Sequence, residues 1–241
     1  MVDFDLEQFK ADVLEGVTNA AQSVSTAAKS VSSDVKRLKR FRETGRDLFV
    51  SGAVTSHGGN ISETDGKSIW ITRTESMLGR ITSSTVVETG WNEDARDFGA
   101  SIELVVHRAI YHALAGENKA PDSGADAQNA SQEKGGEVVA AIIHAHPAHT
   151  IAYSLDHSEL RPLDAEGTIV LGEEVKILKP KETVASPEVA SMMAEAVSAG
   201  ARIAIIAGHG PFAVAPDLES AFKLVSCLER SAQILNARPR S

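Results

Sequence analysis

The stretch Val138-Val-Ala-Ala-Ile-Ile-His-Ala-His-Pro147 decides how the rest of the chain is read. The apolar run from Val138 into His144 predicts a strand at the centre of a sheet, where both faces are covered. On an extended backbone, residues two apart point the same way, so His144 and His146 can reach one ion. Pro147 is well placed for the first turn of a helix running to Leu155.

Working outward, a second apolar strand spans Arg202–Ala207 and a partner spans Pro211–Ala215, around the turn Gly208-His209-Gly210. Glycine on both sides lets the backbone turn sharply and bring the His209 imidazole toward the first pair. Three histidines at strand ends suit a zinc-type site with open coordination positions, or a purely structural histidine cluster.

Further short strands are expected at Gly59–Ser62, Ser68–Thr72, Val86–Thr89, Thr168–Leu171 and Val175–Leu178. Helical spacing runs from Ala100 to Leu114, with Ile102, Val105, Val106, Ala109, Ile110 and Ala113 on one side. Ser186 caps a helix with Pro187 in its first turn, lasting to about Ala199, and Asp217 caps the final helix to about Leu235. Strands and helices alternate with tight turns between them, so the chain reads as α/β with part of its sheet antiparallel.

Glu103 opens the helix that begins near Ala100. A carboxylate there complements the helix dipole, and His107, four residues on, shares its face. His57-Gly58-Gly59-Asn60-Ile61-Ser62 is a glycine turn leading into a strand, whose amides could cradle an anion.

Two segments stand apart. Residues 1 to about 36 are rich in Ala, Ser and Val, with Leu14, Val17, Ala21, Val24, Ala28, Val31, Val35 and Leu38 in a heptad seam, predicting a helical arm. Residues 116–137, GENKAPDSGADAQNASQEKGGE, lack buried-type periodicity and read as a flexible insertion in a domain spanning 37–241.

The formal net charge of −9 argues against generic nucleic-acid binding, despite the basic run of Lys36, Arg37, Lys39, Arg40 and Arg42. The lone Cys227 excludes an intramolecular disulfide and is expected as a buried apolar thiol. No stretch approaches the ~20 apolar residues of a membrane helix, and the acidic N-terminus does not resemble a secretory signal, so a cytoplasmic location is expected.

Taken together, Gly59-Gly-Asn-Ile-Ser62, Ile71-Thr-Arg-Thr74, Ala100-Ser-Ile-Glu103 with His107 and Tyr111, His144-Ala-His-Pro147 and Gly208-His-Gly210 resemble the class II aldolase/adducin superfamily over roughly residues 37–236. That resemblance implies a three-layer α/β/α sandwich with a largely antiparallel central sheet, and a homotetramer with sites between subunits. It implies Zn2+ on His144, His146 and His209, Glu103 as catalytic acid/base, and Asn60, Thr74 and Ser101 as substrate-phosphate ligands. The implied activity is that of a lyase: an aldolase making or breaking a C–C bond in a small ketose phosphate through a metal-stabilised enediolate. Dehydration, decarboxylation and 4-epimerisation use the same logic, and adducin-type members keep the fold as an interaction module without the metal ligands.

Three features depart from the family's pattern. Glu75 stands where a glycine usually follows the phosphate-binding Thr, with Arg73 in place of a common proline and able to pair with it. Ile102 replaces a frequent serine. The chain's tyrosines, Tyr111 and Tyr153, do not occupy the later position from which aldolases of this family present a proton donor. Glu166, in Leu163-Asp-Ala-Glu-Gly167, is the substitute nearest that place.

Overall fold

The computed structural model describes residue 31 and residues 33–116 and 141–238. The expected heptad seam before Val31 and most of the expected insertion lie outside these residues. The chain divides into two units, Met1–Arg40 and Phe41–Ser241. In the first, residues 33–40 are helical, Arg37 donates to Asp34 at 2.7 Å, and Val31 and Val35 are exposed.

The second unit is built on one eight-stranded sheet in the order β3-β2-β1-β4-β8-β7-β6-β5. The strands are β1 (Asn60–Thr64), β2 (Ile69–Thr72), β3 (Val86–Thr89), β4 (Ala141–His144), β5 (Glu159–Leu160), β6 (Val175–Leu178), β7 (Ile203–Ile206) and β8 (Gly210–Ala215). The apolar run that ends in His144 does lie centrally, between β1 and β8, and its described residues are fully buried. The expectation of a largely antiparallel sheet is corrected to a mixed one. β6 and β7 are parallel, because the helix between them carries the chain back across before β7 begins.

The part of helix α1 (residues 33–50) that belongs to this unit buries Phe41, Thr44 and Leu48 on one helical face. Among the described residues the remaining α-helices are α2 (Leu104–Ala115), α3 (Ala148–Asp156), α4 (Ala165–Leu171), α5 (Pro187–Ser198) and α6 (Leu218–Ala237). α2 packs on α5, while α3 and α4 pack on α6. Ile142, Phe212, Val214, Ala204 and Ile206 of the sheet join Val106, Ile110, Tyr111, Val189 and Met193 in one apolar core. Cys227 is buried, and that burial pushes its thiol up to about 11.

Two readings of local structure fail for identifiable reasons. Thr168–Leu171, read as a strand from its β-branched residues, is the end of α4. Asp164 caps that helix, its carboxylate accepting from Gly167 N at 2.7 Å, and its other oxygen binds Ser231 of α6. Helix α2 starts at Leu104 rather than Ala100, because Ala100 bridges to Arg73 and Ser101 N donates to Thr72 O at 3.0 Å. Sheet-like bonds thus hold Ala100 and Ser101, and Glu103 becomes the helix cap position.

Glu229 of α6 ties the turn after the histidine pair to the rest of the domain. Its carboxylate accepts from His149 N, Thr150 N and Thr150 Oγ1 at 3.1, 2.9 and 2.9 Å, at the start of α3. A carboxylate on unpaired first-turn amides is a charge-assisted cap. Glu229→Ala is expected to destabilise the protein by about 2 kcal/mol, lowering the thermal midpoint by roughly 5 °C in a domain of this size. A thermal melt showing no shift would remove this role.

Candidate active site

Sheet register sets the site. Asn60 of β1, His144 of β4 and Phe212 of β8 are direct neighbours across three strands, so their side chains leave the same face in a row. Phe212 stacks on the His144 ring, with centroids 4.1 Å apart and planes 18° from parallel. His146 follows just past the strand end, where its backbone N donates to Ala53 O at 2.8 Å. His209 comes from the β7–β8 turn.

The three Nε2 atoms converge. His144 Nε2 lies 2.9 Å from that of His146 and 3.2 Å from that of His209. Nδ1 of His144 is 3.0 Å from Pro211 O, and Nδ1 of His209 is 2.6 Å from Thr183 O. A carbonyl oxygen only accepts, so Nδ1 carries the proton in both rings and Nε2 presents its lone pair. Burial, then His146 and His209, hold His144 well below the usual histidine range, while burial and then His209 lower His146 to about 4. Both are therefore neutral at pH 7.

Glu103 closes this donor set. Its Oε2 is 3.2 Å from His144 Nε2 and its Oε1 is 3.9 Å from His209 Nε2. Oε1 is buried and has no hydrogen-bond partner among the described residues, an orphaned acceptor aimed at the cluster. Burial raises the Glu103 carboxyl, against the Asn60 hydrogen bond, His209 and the nearby Ala185 amide, which does not reach hydrogen-bond geometry with Oε1.

The proton-free Nε2 atoms of His144 and His209, 3.2 Å apart, repel unless a proton or a cation sits among them. Tetrahedral Zn–N bonds of ~2.05 Å place neighbouring ligand nitrogens about 3.3 Å apart, close to the two separations measured from His144 Nε2. The residues fit a divalent ion. His144 is fully buried, whereas His146 and His209 are half-buried, so the cluster is open on their side.

Backbone geometry explains the glycines. A Cβ on Gly58 would lie 2.7 Å from His146 Nδ1, and one on Gly59, at φ +78°, would lie 2.7 Å from His144 O. The Gly-Gly turn, read from sequence as an anion cradle, is needed for close packing against the two histidines. Gly210 is the most constrained: at φ +146°, an added Cβ would collide with the Ala145 carbonyl. Gly210→Ala is expected to cost about 3 kcal/mol, lowering the thermal midpoint by roughly 10 °C, and to weaken metal retention. Calorimetry with metal analysis checks both effects, and a variant as stable as the parent would contradict this geometry.

The three expected substrate ligands are placed differently. Asn60 is buried, with its amide engaged by Glu103 and His107. Ser101 is buried, and its Oγ accepts from Glu103 N at 3.3 Å. Thr74 is exposed, and its N donates to Gly99 O at 3.3 Å. Glu75 is exposed at φ +55°, a left-handed conformation that costs a side-chain-bearing residue more than glycine. Arg73 donates its Nε–H to Ser84 O at 2.7 Å rather than turning to Glu75. Tyr111 is fully buried, whereas Tyr153 of α3 stacks on His157 at 3.8 Å. Glu166 lies exposed in the first turn of α4.

Sequence reasoning missed the carbonyls of Thr183, Pro211 and Ala53, which carry no side-chain signature. It also missed the strained Ala185, at φ +48° beside Ser186.

The family model described as Class II Aldolase and Adducin N-terminal domain matches residues 39–236. The chain belongs to this class II aldolase and adducin family. L-fuculose phosphate aldolase of Methanococcus maripaludis is 29% identical over 188 residues, covering 78% of this chain and 89% of that protein. The crystal structure of L-fuculose-1-phosphate aldolase from Thermus thermophilus is 33% identical, with TM-score 0.69, covering 85% of this chain and 98% of the other. YgbL from Escherichia coli, described as an aldolase/epimerase/decarboxylase candidate, shares the fold at 19% identity and TM-score 0.67, over 87% and 94% of the two chains.

Proposed function

We propose that this protein is a metal-dependent aldolase that cleaves or forms a C–C bond in a small ketose phosphate. The observation that carries this reading is the convergence of three imidazole nitrogens with the orphaned Glu103 Oε1. His144, His146 and His209 would hold the ion, most simply Zn2+, which supplies Lewis-acid polarisation of the hydroxy-ketone oxygens.

The remaining chemistry falls to the chain. In the bond-forming direction, Glu103 Oε1 takes a proton from the hydroxymethyl carbon beside the substrate carbonyl, and the electron pair moves into the carbonyl as an enediolate. That carbon attacks an aldehyde, the new C–C bond forms, and the aldehyde oxygen takes a proton from water, to which Glu103 releases the proton it holds. Cleavage reverses these steps, with Glu103 returning its proton to carbon. Tyr111, buried and bonded to Ser62, is not the donor within its own subunit.

Asn60, Thr74 and Ser101 are proposed to surround the substrate's anionic end; Asn60 Nδ2 keeps a second N–H for that purpose. The same reading makes the active form a homotetramer in the cytoplasm, arranged as a three-layer α/β/α domain (37–241) with a helical arm (1–36) and an insertion at 116–137. No helix among the described residues is long and apolar enough to cross a membrane.

Glu75 favours a second reading. A carboxylate beside Thr74 repels a phosphate, which suits a dehydratase, decarboxylase or 4-epimerase acting on a less anionic hydroxy-ketone. Incubation with fuculose 1-phosphate and related sugar phosphates, with products recorded by mass, separates the two. An aldehyde with a three-carbon keto-phosphate is the expected result; carbon dioxide or water released without aldehyde sinks the aldolase reading. The retained histidines and Glu103 count against an adducin-like module lacking catalysis.

A further inference from the structure

Behind Glu103 lies a buried line of polar groups, of which only Asn60 has a part in the reading above. Asn60 Nδ2 is 2.8 Å from Glu103 Oε2, and Asn60 Oδ1 is 2.5 Å from His107 Nε2. His107 Nδ1 is 2.6 Å from Ser62 Oγ, which is 2.9 Å from Tyr111 OH. Asn60 and Ser62 are two apart on β1; Glu103, His107 and Tyr111 are four apart along α2. Asn60, Ser62, His107 and Tyr111 are all at most 6% exposed.

The direction of every bond follows from one end. A carboxylate oxygen accepts, so the Asn60 amide turns its nitrogen to Glu103 and its oxygen to His107. His107 must then carry its proton on Nε2. As a neutral ring it accepts at Nδ1, so the Ser62 hydroxyl donates there and in turn accepts from Tyr111. Reversing any member would set two acceptors or two donors face to face in a buried space, where an unmet polar group is costly.

Building on the role proposed for Glu103, we infer that Ser62, His107 and Tyr111 are positioning residues that fix the Asn60 amide. Asn60 thereby pins Oε2 and leaves Oε1 as the oxygen that handles the substrate proton. Ser62 of β1 with His107 and Tyr111 of α2 holds the base from behind, through Asn60. A base loose by a fraction of an ångström loses rate without losing substrate affinity.

The test uses the metal-loaded full chain with His107→Gln, His107→Leu, Ser62→Ala and Tyr111→Phe. Each is assayed for proton exchange of dihydroxyacetone phosphate, and separately of dihydroxyacetone, into heavy water. His107→Leu is expected to lose about 100-fold in kcat with KM within about twofold, and Ser62→Ala and Tyr111→Phe about tenfold or less. His107→Gln, which keeps a donor toward Asn60, is expected to recover roughly tenfold over His107→Leu. Metal content and thermal midpoint are recorded beside each rate, so that a misfolded variant is recognised and the milder Tyr111→Phe carries the comparison. A His107→Leu variant that keeps the metal and exchanges at the parent rate overturns the inference.

Nitrogen-15 NMR of the imidazoles gives an answer that needs no turnover. His107 is expected as the Nε2–H tautomer, and an Nδ1–H tautomer refutes the chain's direction. If the parent exchanges neither probe, the proposed activity has failed, and this tautomer alone decides whether the chain exists as described.

Discussion

Glu103→Gln is expected to keep its metal and lose about 1000-fold in turnover, the size of effect a positioned acid/base supplies. Glutamine preserves the shape of the side chain, and its amide oxygen can still accept from Asn60 Nδ2, which lies 2.8 Å from the native Oε2. What disappears is the free carboxylate oxygen, Oε1, which has no partner of its own among the described residues. Three imidazole ligands remain, so metal content should stay near the parent's value. Steady-state rates with metal analysis of the same sample check this. Equal activity in variant and parent would refute the assignment of Glu103, whatever the substrate proves to be.

His146→Ala is expected to fail earlier, by losing the metal. The imidazole contributes one of three converging nitrogens, at 2.9 Å from His144 Nε2, and two remaining ligands make a poor zinc site. The fold should survive, because His146 is half-buried at the strand's end rather than in the apolar core. The expected signature is therefore a protein of near-native melting behaviour with metal occupancy reduced at least tenfold. Retained metal with lost activity would instead make His146 a substrate contact.

The contrast between these variants separates two functions that share one small volume. In the proposed reading one set of side chains would hold a cation, and one carboxylate, backed by Asn60, would move a proton. Both are reached from the same strand register, because β1 brings Asn60 alongside His144 and the start of α2 brings Glu103 within reach of both.

Much of this was legible in the chain because it rests on local periodicity. The alternation in His144-Ala-His146 places two imidazoles together without knowledge of any distant contact. The glycines flanking His209 announce a tight turn, and Ser186 and Asp217 cap helices where caps were expected. What escaped depends on tertiary partners. The residues at Thr168–Leu171 have strand-like side chains, yet Asp164, bonded to Ser231 of α6, commits them to a helix. The carbonyls that fix the histidine tautomers belong to Thr183 and Pro211, where side-chain identity carries no information. The two-residue strand β5 is too short to leave a pattern. The link from His107 to Ser62 spans 45 residues, and only the fold brings its members together.

Glu75 carries a different lesson. Its positive φ shows why a glycine suits that position, and its charge sets it against an anionic substrate. The proposed metal cluster and base do not depend on it, so a change of substrate there would leave the proposed chemistry intact.

The most direct test of that chemistry is calorimetric titration of Zn2+ into chelator-stripped protein, with His146→Ala as the comparison. The account predicts one ion bound per chain at sub-micromolar affinity, with binding lost in the variant. A parent that takes up no zinc or manganese, or binds equally well without His146, would contradict it.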